Sequence, residues 1–299
     1  MRTVLVWFLC LLWAADCVAQ QLTPRAYWPA PKGTKVLVTG YSRTVGDVVL
    51  DQSLPVSDAD SKINFGLVAY VQTLGLWGRS SNLVVDLPYA NGTTTGLVNQ
   101  VSQRRSFSGF GDLGCTLNVN LLGAPSMNLE EFQALRAEPR PILDASLRIV
   151  APTGSYDTNK LVNIGANRWA TRVQLGSIIP IKPKLLLELM AGAWIFGDDD
   201  DYLTGKREQK PIYSLEADLI KRFRPGFWAS LNFTYFRGGR QTIGGEQLDD
   251  AQSNLKVGAT FVVPIRGRHA IKLGYANGAK TKHGTDFDQV LLSYQILLN

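Results

Sequence analysis

Trp169-Ala170-Thr171-Arg172-Val173-Gln174-Leu175, followed by Leu185-Leu186-Leu187-Glu188-Leu189-Met190-Ala191-Gly192-Ala193-Trp194-Ile195, decides the fold. Trp169, Val173 and Leu175, then Leu185, Leu187, Leu189, Ala191, Ala193 and Ile195, place apolar side chains at every second position. A period of two is the strand period, because successive side chains point to opposite faces. The opposite faces of these segments carry Arg168, Arg172 and Glu188. A soluble β-protein hides its apolar face in a core. A membrane barrel turns that face to lipid and keeps the polar one inside.

The same alternation recurs along the chain. Phe227, Ala229, Leu231, Phe233 and Tyr235 oppose Ser230, Asn232 and Thr234; Leu255, Val257, Ala259, Phe261 and Val263 oppose Asn254, Lys256 and Thr260; Val290, Leu292, Tyr294 and Ile296 oppose Gln289, Ser293 and Gln295. Twelve strands are predicted, near 35–43, 62–73, 80–90, 108–121, 142–152, 163–179, 184–196, 212–223, 226–237, 252–264, 268–278 and 287–298. Their lengths suit tilted barrel strands, and helical spacing of three and four is absent. Short connections at 75–79, 181–184, 224–226 and 265–268 alternate with longer polar ones at 44–61, 91–107, 153–161, 197–211, 238–251 and 279–286. That is the pattern of periplasmic turns and extracellular loops. The exception is 122–141, where Met127-Asn128-Leu129-Glu130-Glu131-Phe132 reads as a short capped helix at the periplasmic rim. Tyr89, Trp169, Trp194, Phe196, Tyr213, Phe227, Trp228, Tyr235 and Tyr275 lie near strand ends, where interfacial aromatic girdles form. The predicted class is all-β: a transmembrane antiparallel β-barrel of about twelve strands with a short periplasmic helix. A soluble sandwich is the alternative that alternation alone leaves open.

The N-terminus supports export. Met1-Arg2, the apolar run from Val4 to Ala15, and Cys17-Val18-Ala19 read as a signal peptide over 1–19, with cleavage after Ala19. The run is too short for a comfortable bilayer span, and Asp16 before Cys17 argues against a lipoprotein. Residues 20–34 then form an N-terminal periplasmic segment, and 35–299 the barrel. After cleavage Cys115 is the only cysteine left, so no intramolecular disulfide staples the fold. The net charge of +6 comes from scattered Lys and Arg on an exported chain, which argues against nucleic acid as a partner.

Several stretches resemble one family: Arg25-Ala26-Tyr27-Trp28-Pro29-Ala30-Pro31-Lys32-Gly33-Thr34, Asp60-Ser61-Lys62-Ile63-Asn64, Leu121-Leu122-Gly123-Ala124-Pro125, Asn163-Ile164-Gly165-Ala166-Asn167-Arg168-Trp169 and Gln252-Ser253-Asn254. Over essentially the whole mature chain they resemble the MetA-pathway of phenol degradation family of outer-membrane proteins, often labelled transporters. More distantly the chain resembles the amyloid-exporting pores of pseudomonad biofilms, which implies twelve strands and a homo-trimer. The resemblance implies no catalytic residues. Ending in Asn299 instead of an aromatic residue departs from a common outer-membrane pattern, although Tyr294, Ile296 and Leu297 still resemble a signal for the outer-membrane assembly machinery.

Candidate chemistry is sparse. Gly109-Phe110-Gly111-Asp112-Leu113-Gly114 has dinucleotide-loop spacing, but a strand follows where a helix is needed; it reads as a flexible strand entrance, and no cofactor is expected. Asp198, Asp199, Asp200 and Asp201 are weak metal candidates, able at most to bridge a divalent cation to lipopolysaccharide phosphates; a solvated loop is the simpler reading. A hydrolase at the outer leaflet needs a serine, a histidine and an orienting group together. Of His269 and His283, only His283 falls on the outer side, so the chain does not read as an enzyme. Asn91-Gly92-Thr93 matches a glycosylation acceptor, a match that means little in a bacterial outer membrane.

The richest constellation is the predicted lumen lining. Strand polarity places Arg148, Arg168, Arg172, Lys256 and Lys272 inside with Asp86, Asp144, Glu188, Glu216 and Asp218. A lipid-facing Lys or Arg would cost about 2–4 kcal/mol at the midplane, which favours the inward orientation. The ten charges either brace the wall as ion pairs or line a wet pore. Arg25, Tyr27 and Trp28 are candidates for a plug, or else for a periplasmic tail anchored by its rings. The function read from the sequence is porin-like passive passage of small solutes across the outer membrane, with lipid and lipopolysaccharide around the wall. Only the family resemblance points to hydrophobic or aromatic solutes. The alternatives are an export pore for a secreted protein, which the short N-terminal segment disfavours, and a closed structural barrel.

Overall fold

The computed structural model describes residues 24–48, 56–98, 101–158, 160, 163–202, 205–280 and 285–298; the expected signal peptide and His283 lie outside them. The first strands are β1 (Lys35–Val48), β2 (Val56–Leu76), β3 (Arg79–Val98), β4 (Val101–Phe110) and β5 (Leu113–Leu122). Helix α1 (Leu129–Ala137) follows, then β6 (Ile142–Ala151), β7 (Ala170–Lys182) and β8 (Leu185–Phe196). After them come β9 (Asp199–Tyr202), β10 (Gly205–Gln209), β11 (Ile212–Arg224), β12 (Phe227–Gly238), β13 (Gln241–Ile243) and β14 (Glu246–Gln247). The last strands are β15 (Gln252–Pro264), β16 (His269–Lys280) and β17 (Thr285–Leu297).

Each wall strand pairs antiparallel with its sequence neighbours, and β1 pairs with β17 to close the ring. With β4 and β5 counted as two pieces of one wall strand, the barrel has the twelve strands predicted. Closure pairs the wall strands on both sides, the condition for sheet in lipid, with β4 as the exception. Burial alternates as the sequence demands. Along β11, Ile212, Ser214, Glu216, Asp218 and Ile220 are buried while Tyr213, Leu215 and Leu219 are exposed to the membrane side.

The structure departs from the sequence reading in five places. The segments 44–61 and 91–107, expected as polar loops, are largely strand, because β1 runs to Val48, β2 starts at Val56, β3 runs to Val98 and β4 starts at Val101, so these strands extend past the bilayer. The strand predicted over 108–121 is broken at Gly111-Asp112, so β3 pairs with β5 through residues 81–86 and with β4 through residues 89–98. The strand predicted from 163 begins only at Ala170, leaving Arg168 on the preceding loop. The loops 197–211 and 238–251 hold a second sheet in the order β14-β13-β10-β9. Finally, Trp194, Phe196 and Trp228 are buried inside the barrel instead of joining a girdle, whereas Trp169 and Tyr213 are exposed.

Helix α1 forms at the expected end. Asn128 caps it by accepting from Glu131 N at 2.9 Å, and the Glu131 carboxylate accepts from Asn128 N at 2.8 Å. This reciprocal pair satisfies two N–H groups that the first turn would otherwise leave unpaired.

Candidate functional site

The barrel interior holds the functional candidates, and its two ends are built differently. At the end carrying the short turns, residues 24–34 enter the ring. Arg25 N donates to Glu188 Oε2 at 2.8 Å, Asn120 Nδ2 donates to the Tyr27 carbonyl at 3.1 Å, and the Tyr27 hydroxyl donates to Gln174. The Arg25 guanidinium lies 5.1 Å from the Trp28 ring and 5.2 Å from that of Trp228, and Arg222 approaches Trp28 from another side at 5.2 Å. Tyr27 and Trp28 pack with Ala124, Met127, Leu135, Ile178, Leu186 and Ile220 into one buried cluster. This end of the interior is therefore a small apolar core, wrapped around rings whose polar ends are anchored in the wall.

The middle carries the buried charges. Arg148 and Asp86 form a two-pronged ion pair, with Nη1–Oδ1 at 2.6 Å and Nη2–Oδ2 at 2.9 Å, and Arg148 also donates to Thr116 at 2.9 Å. Arg148 stands directly opposite Arg172 across the β6–β7 ladder. Like charges in that position repel. Here Asp86 neutralises one, and the Trp194 ring faces the other at 5.5 Å. Glu216 accepts from Gln174 at 2.5 Å, Asp218 accepts from Asn232 at 2.6 Å, and Asp144 accepts from Asn120. Lys256 lies 4.9 Å from the Phe287 ring. Lys272 is half-buried. Arg148 and Asp86 form a direct ion pair; amides and rings serve most of the other eight charges.

Arg168 sits higher, stacked 4.7 Å from the Phe196 ring and donating to Gln209 of the second sheet. That sheet and the described part of the loop before β7 meet at the outer end, where Arg207 donates to the Ala166 carbonyl at 3.1 Å. The Asp run is part of this junction. Asp199 is fully buried, pairs with Arg207 at 3.2 Å, and accepts from Asn167 at 2.8 Å and Tyr156 at 3.2 Å. Asp198 pairs with Lys206 at 2.6 Å. Asp198 and Asp199 thus hold two strands together, whereas Asp200 and Asp201 are exposed as a solvated loop would leave them, and no cluster suited to a metal occurs among the described residues. Burial, followed by the charge of Asp199, pushes the Tyr156 phenol up to about 12, so it stays a proton donor to that carboxylate.

The break in the wall carries features the sequence reading passed over. Asp112, buried in the gap, accepts from Gly154 N at 2.7 Å and Ala166 N at 2.8 Å, pinning both ends of the loop before β7. Gly109 is closely approached by Ser155, whose Oγ would lie 2.4 Å from any Cβ there. β4 has a strand partner only in β3; on its other edge Ser155 N donates to the Phe110 carbonyl at 2.8 Å. Against this edge lies a cavity of 750 Å³, lined among others by Gly92, Phe107, Tyr156, Asn163 and Ile164. The inward parity of Gln174 beside Arg172 was available in the sequence; the loop residues carried no periodic signal.

Solved structures of the same architecture exist. The COG4313 outer membrane channel from Pseudomonas putida F1 is 20% identical, covers 93% of this chain and 100% of its own, and superposes with a TM-score of 0.76. The translocator domain of the autotransporter NalP from Neisseria meningitidis is 11% identical over 94% of this chain and 95% of its own, with a TM-score of 0.54. The β domain of the Bordetella autotransporter BrkA is 10% identical over 89% and 100%, with a TM-score of 0.52. No curated protein matches. The family model described as "Putative MetA-pathway of phenol degradation" matches residues 42–287, and the chain, an outer-membrane β-barrel, belongs to that family.

Proposed function

We propose that this barrel passes small hydrophobic or aromatic solutes passively across the outer membrane, taking them up in the cavity beside the broken wall strand. The observation that carries the reading is the site of that cavity: 750 Å³ at the one wall strand whose ladder is interrupted, with Phe107 and Ile164 beside Tyr156 and Asn163. The lining is mainly polar, Lys62, Asn64, Asn91 and Thr93 included, with Phe107, Ile164 and the Tyr156 ring as its apolar surface, so it suits a small aromatic that carries polar groups. A wide aqueous pore fits less well, because the second sheet and the loop before β7 meet at one end and residues 24–34 fill the other. The description of the similar structure as an outer membrane channel, and the family's description, support a small solute of this class.

The inner segment then acts as a plug, which must shift for solute to leave toward the periplasm. Uptake of a radiolabelled neutral aromatic by cells expressing the barrel, with the folded protein verified in their outer membrane, tests the reading. Expression is expected to raise the initial rate, and Phe107→Asn or Ile164→Asn to lower it. Unchanged uptake with a folded barrel would favour a closed structural protein. An expression-dependent secreted polypeptide would favour export.

A further inference from the structure

On the membrane-facing surface of β11, β12, β15 and β16 the wall is hollowed where two small residues meet large neighbours. Ala229 stands opposite Phe261, and Ala259 opposite both Leu231 and Tyr275. The hollow is a groove of 480 Å³, walled by Leu219, Leu231, Phe261, Leu273 and Tyr275 and running to Lys221, which lies directly opposite Ala229. Its polar end is cationic. Lys182 and Lys184 on one short turn, and Lys221 and Arg224 on the next, are all exposed, and residues 181–187 and 219–231 contain no Asp or Glu, their one other charge being the buried Arg222. No carboxylate pairs with these four cations among the described residues. Arg224 lies 5.7 Å from the Phe227 ring, which meets the tilted Phe223 ring at 4.6 Å and Phe261 edge to face at 5.2 Å, forming an aromatic step between groove and cations.

We propose that this groove is a binding site for one anionic phospholipid of the inner leaflet, an acyl chain lying over Ala229 and Ala259 and the phosphate held by Lys184, Lys221 and Arg224. The argument is charge complementarity at the correct depth. The cations belong to the short turns, hence to the periplasmic interface, where a phospholipid headgroup sits, and the apolar groove runs from them toward the bilayer centre. Unpaired basic clusters beside a membrane-embedded surface attract anionic headgroups, each cation near the surface being worth about a fivefold gain in affinity. Lipopolysaccharide belongs to the other leaflet, and a second copy related by a twofold axis would bring the same cations against themselves.

Native mass spectrometry of the full barrel in detergent, titrated with phosphatidylglycerol or with phosphatidylcholine of the same chain length, tests this. Phosphatidylglycerol is expected to bind more tightly. A double variant, Lys184→Gln with Lys221→Gln, should weaken it by about twenty-fivefold, toward the affinity of phosphatidylcholine. Ala229→Phe should remove both lipids while leaving the charge intact; if heat-modifiable mobility shows that variant unfolded, Ala259→Leu makes the same test. Equal affinities for the two lipids, retention of phosphatidylglycerol by the charge variant, displacement by equimolar lipopolysaccharide, or cross-linking of two copies through this face would each overturn the proposal.

Discussion

Gly176 in β7 lies against the ring of Tyr27: a Cβ at position 176 would come within 2.9 Å of both Cδ2 and Cε2 of that ring. The wall is therefore shaped for the inner segment, since glycine in a strand interior weakens it and marks a close approach. Gly176→Val keeps a strand-compatible backbone but removes the space. We expect the variant barrel to fold, to lose the Tyr27–Gln174 contact, and to show larger and more frequent single-channel currents in a planar bilayer than the parent. Currents identical to the parent's, from a variant shown to be folded, would mean that Tyr27 does not obstruct the lumen.

Asp112 links the break in the wall to the loop before β7. Its two carboxylate oxygens each accept a backbone N–H, from Gly154 and Ala166. Hydrogen bonds to a charged acceptor contribute about 1.5–3 kcal/mol each. Asp112→Ala is therefore expected to free that loop while leaving the wall strands paired. Hydrogen exchange should quicken at Gly154 and Ala166 by at least tenfold, with the amides of β11 and β12 unaffected. The uptake rate should change with it, because Ile164 and Asn163 of the cavity lining ride on the same loop.

Nearly all of the wall was legible in the sequence, because a strand with one face in lipid and the other against polar groups must alternate. Leu215, Ala217 and Leu219 against Glu216 and Asp218 have the strand period. What escaped was whatever does not alternate. The second sheet joins Arg207 to Ile243 and Gln209 to Gln241, in strands of five and three residues from separate loops. Such pairings have no local period and are fixed only once the barrel brings the loops together. Asp199 was misjudged for the same reason: four consecutive carboxylates look solvated until Arg207 is seen to stand against one of them. The break at Gly111-Asp112 looked like a flexible entrance, since glycine signals freedom in a sequence but close approach in a packed structure. Nine of the ten charges expected inside lie on wall strands and follow parity; Arg168 is buried although it stands on the loop before β7. Parity says which face a residue takes but not what meets it, so the rings and amides that serve Arg172, Lys256 and Asp218 could not be foreseen.

Across the β6–β7 ladder, Arg148 and Arg172 face one another, and only Arg148 has a carboxylate at ion-pair distance, that of Asp86. Removing one partner of a buried pair costs about 3–5 kcal/mol, because the other charge is left uncompensated. Asp86→Asn is therefore expected to lower the stability of the folded barrel in vesicles by several kcal/mol, read as a reduced urea midpoint. Asp86→Asn with Arg148→Gln should recover much of that loss, since the repulsion of Arg172 is relieved together with the pair. A single variant as stable as the parent would show that water reaches this part of the lumen and screens both guanidiniums.

The remaining charges bear on what the lumen selects once the inner segment is displaced. In the Gly176→Val background, Arg172→Glu or Lys256→Glu replaces an inward cation by an anion, a change of two charges at the wall. Rings of charge in a wet passage exclude ions of their own sign. The zero-current potential in a salt gradient is accordingly expected to move toward cation selectivity in either variant, and less at high salt, where screening shortens the reach of the charge. Arg172 offers the sharper test, because it stands beside the Tyr27–Gln174 contact while Lys256 is held against Phe287 on the far wall. A conducting variant whose zero-current potential does not move would place the ion path away from these side chains, and would direct attention to the cavity at β4 as the route through the protein.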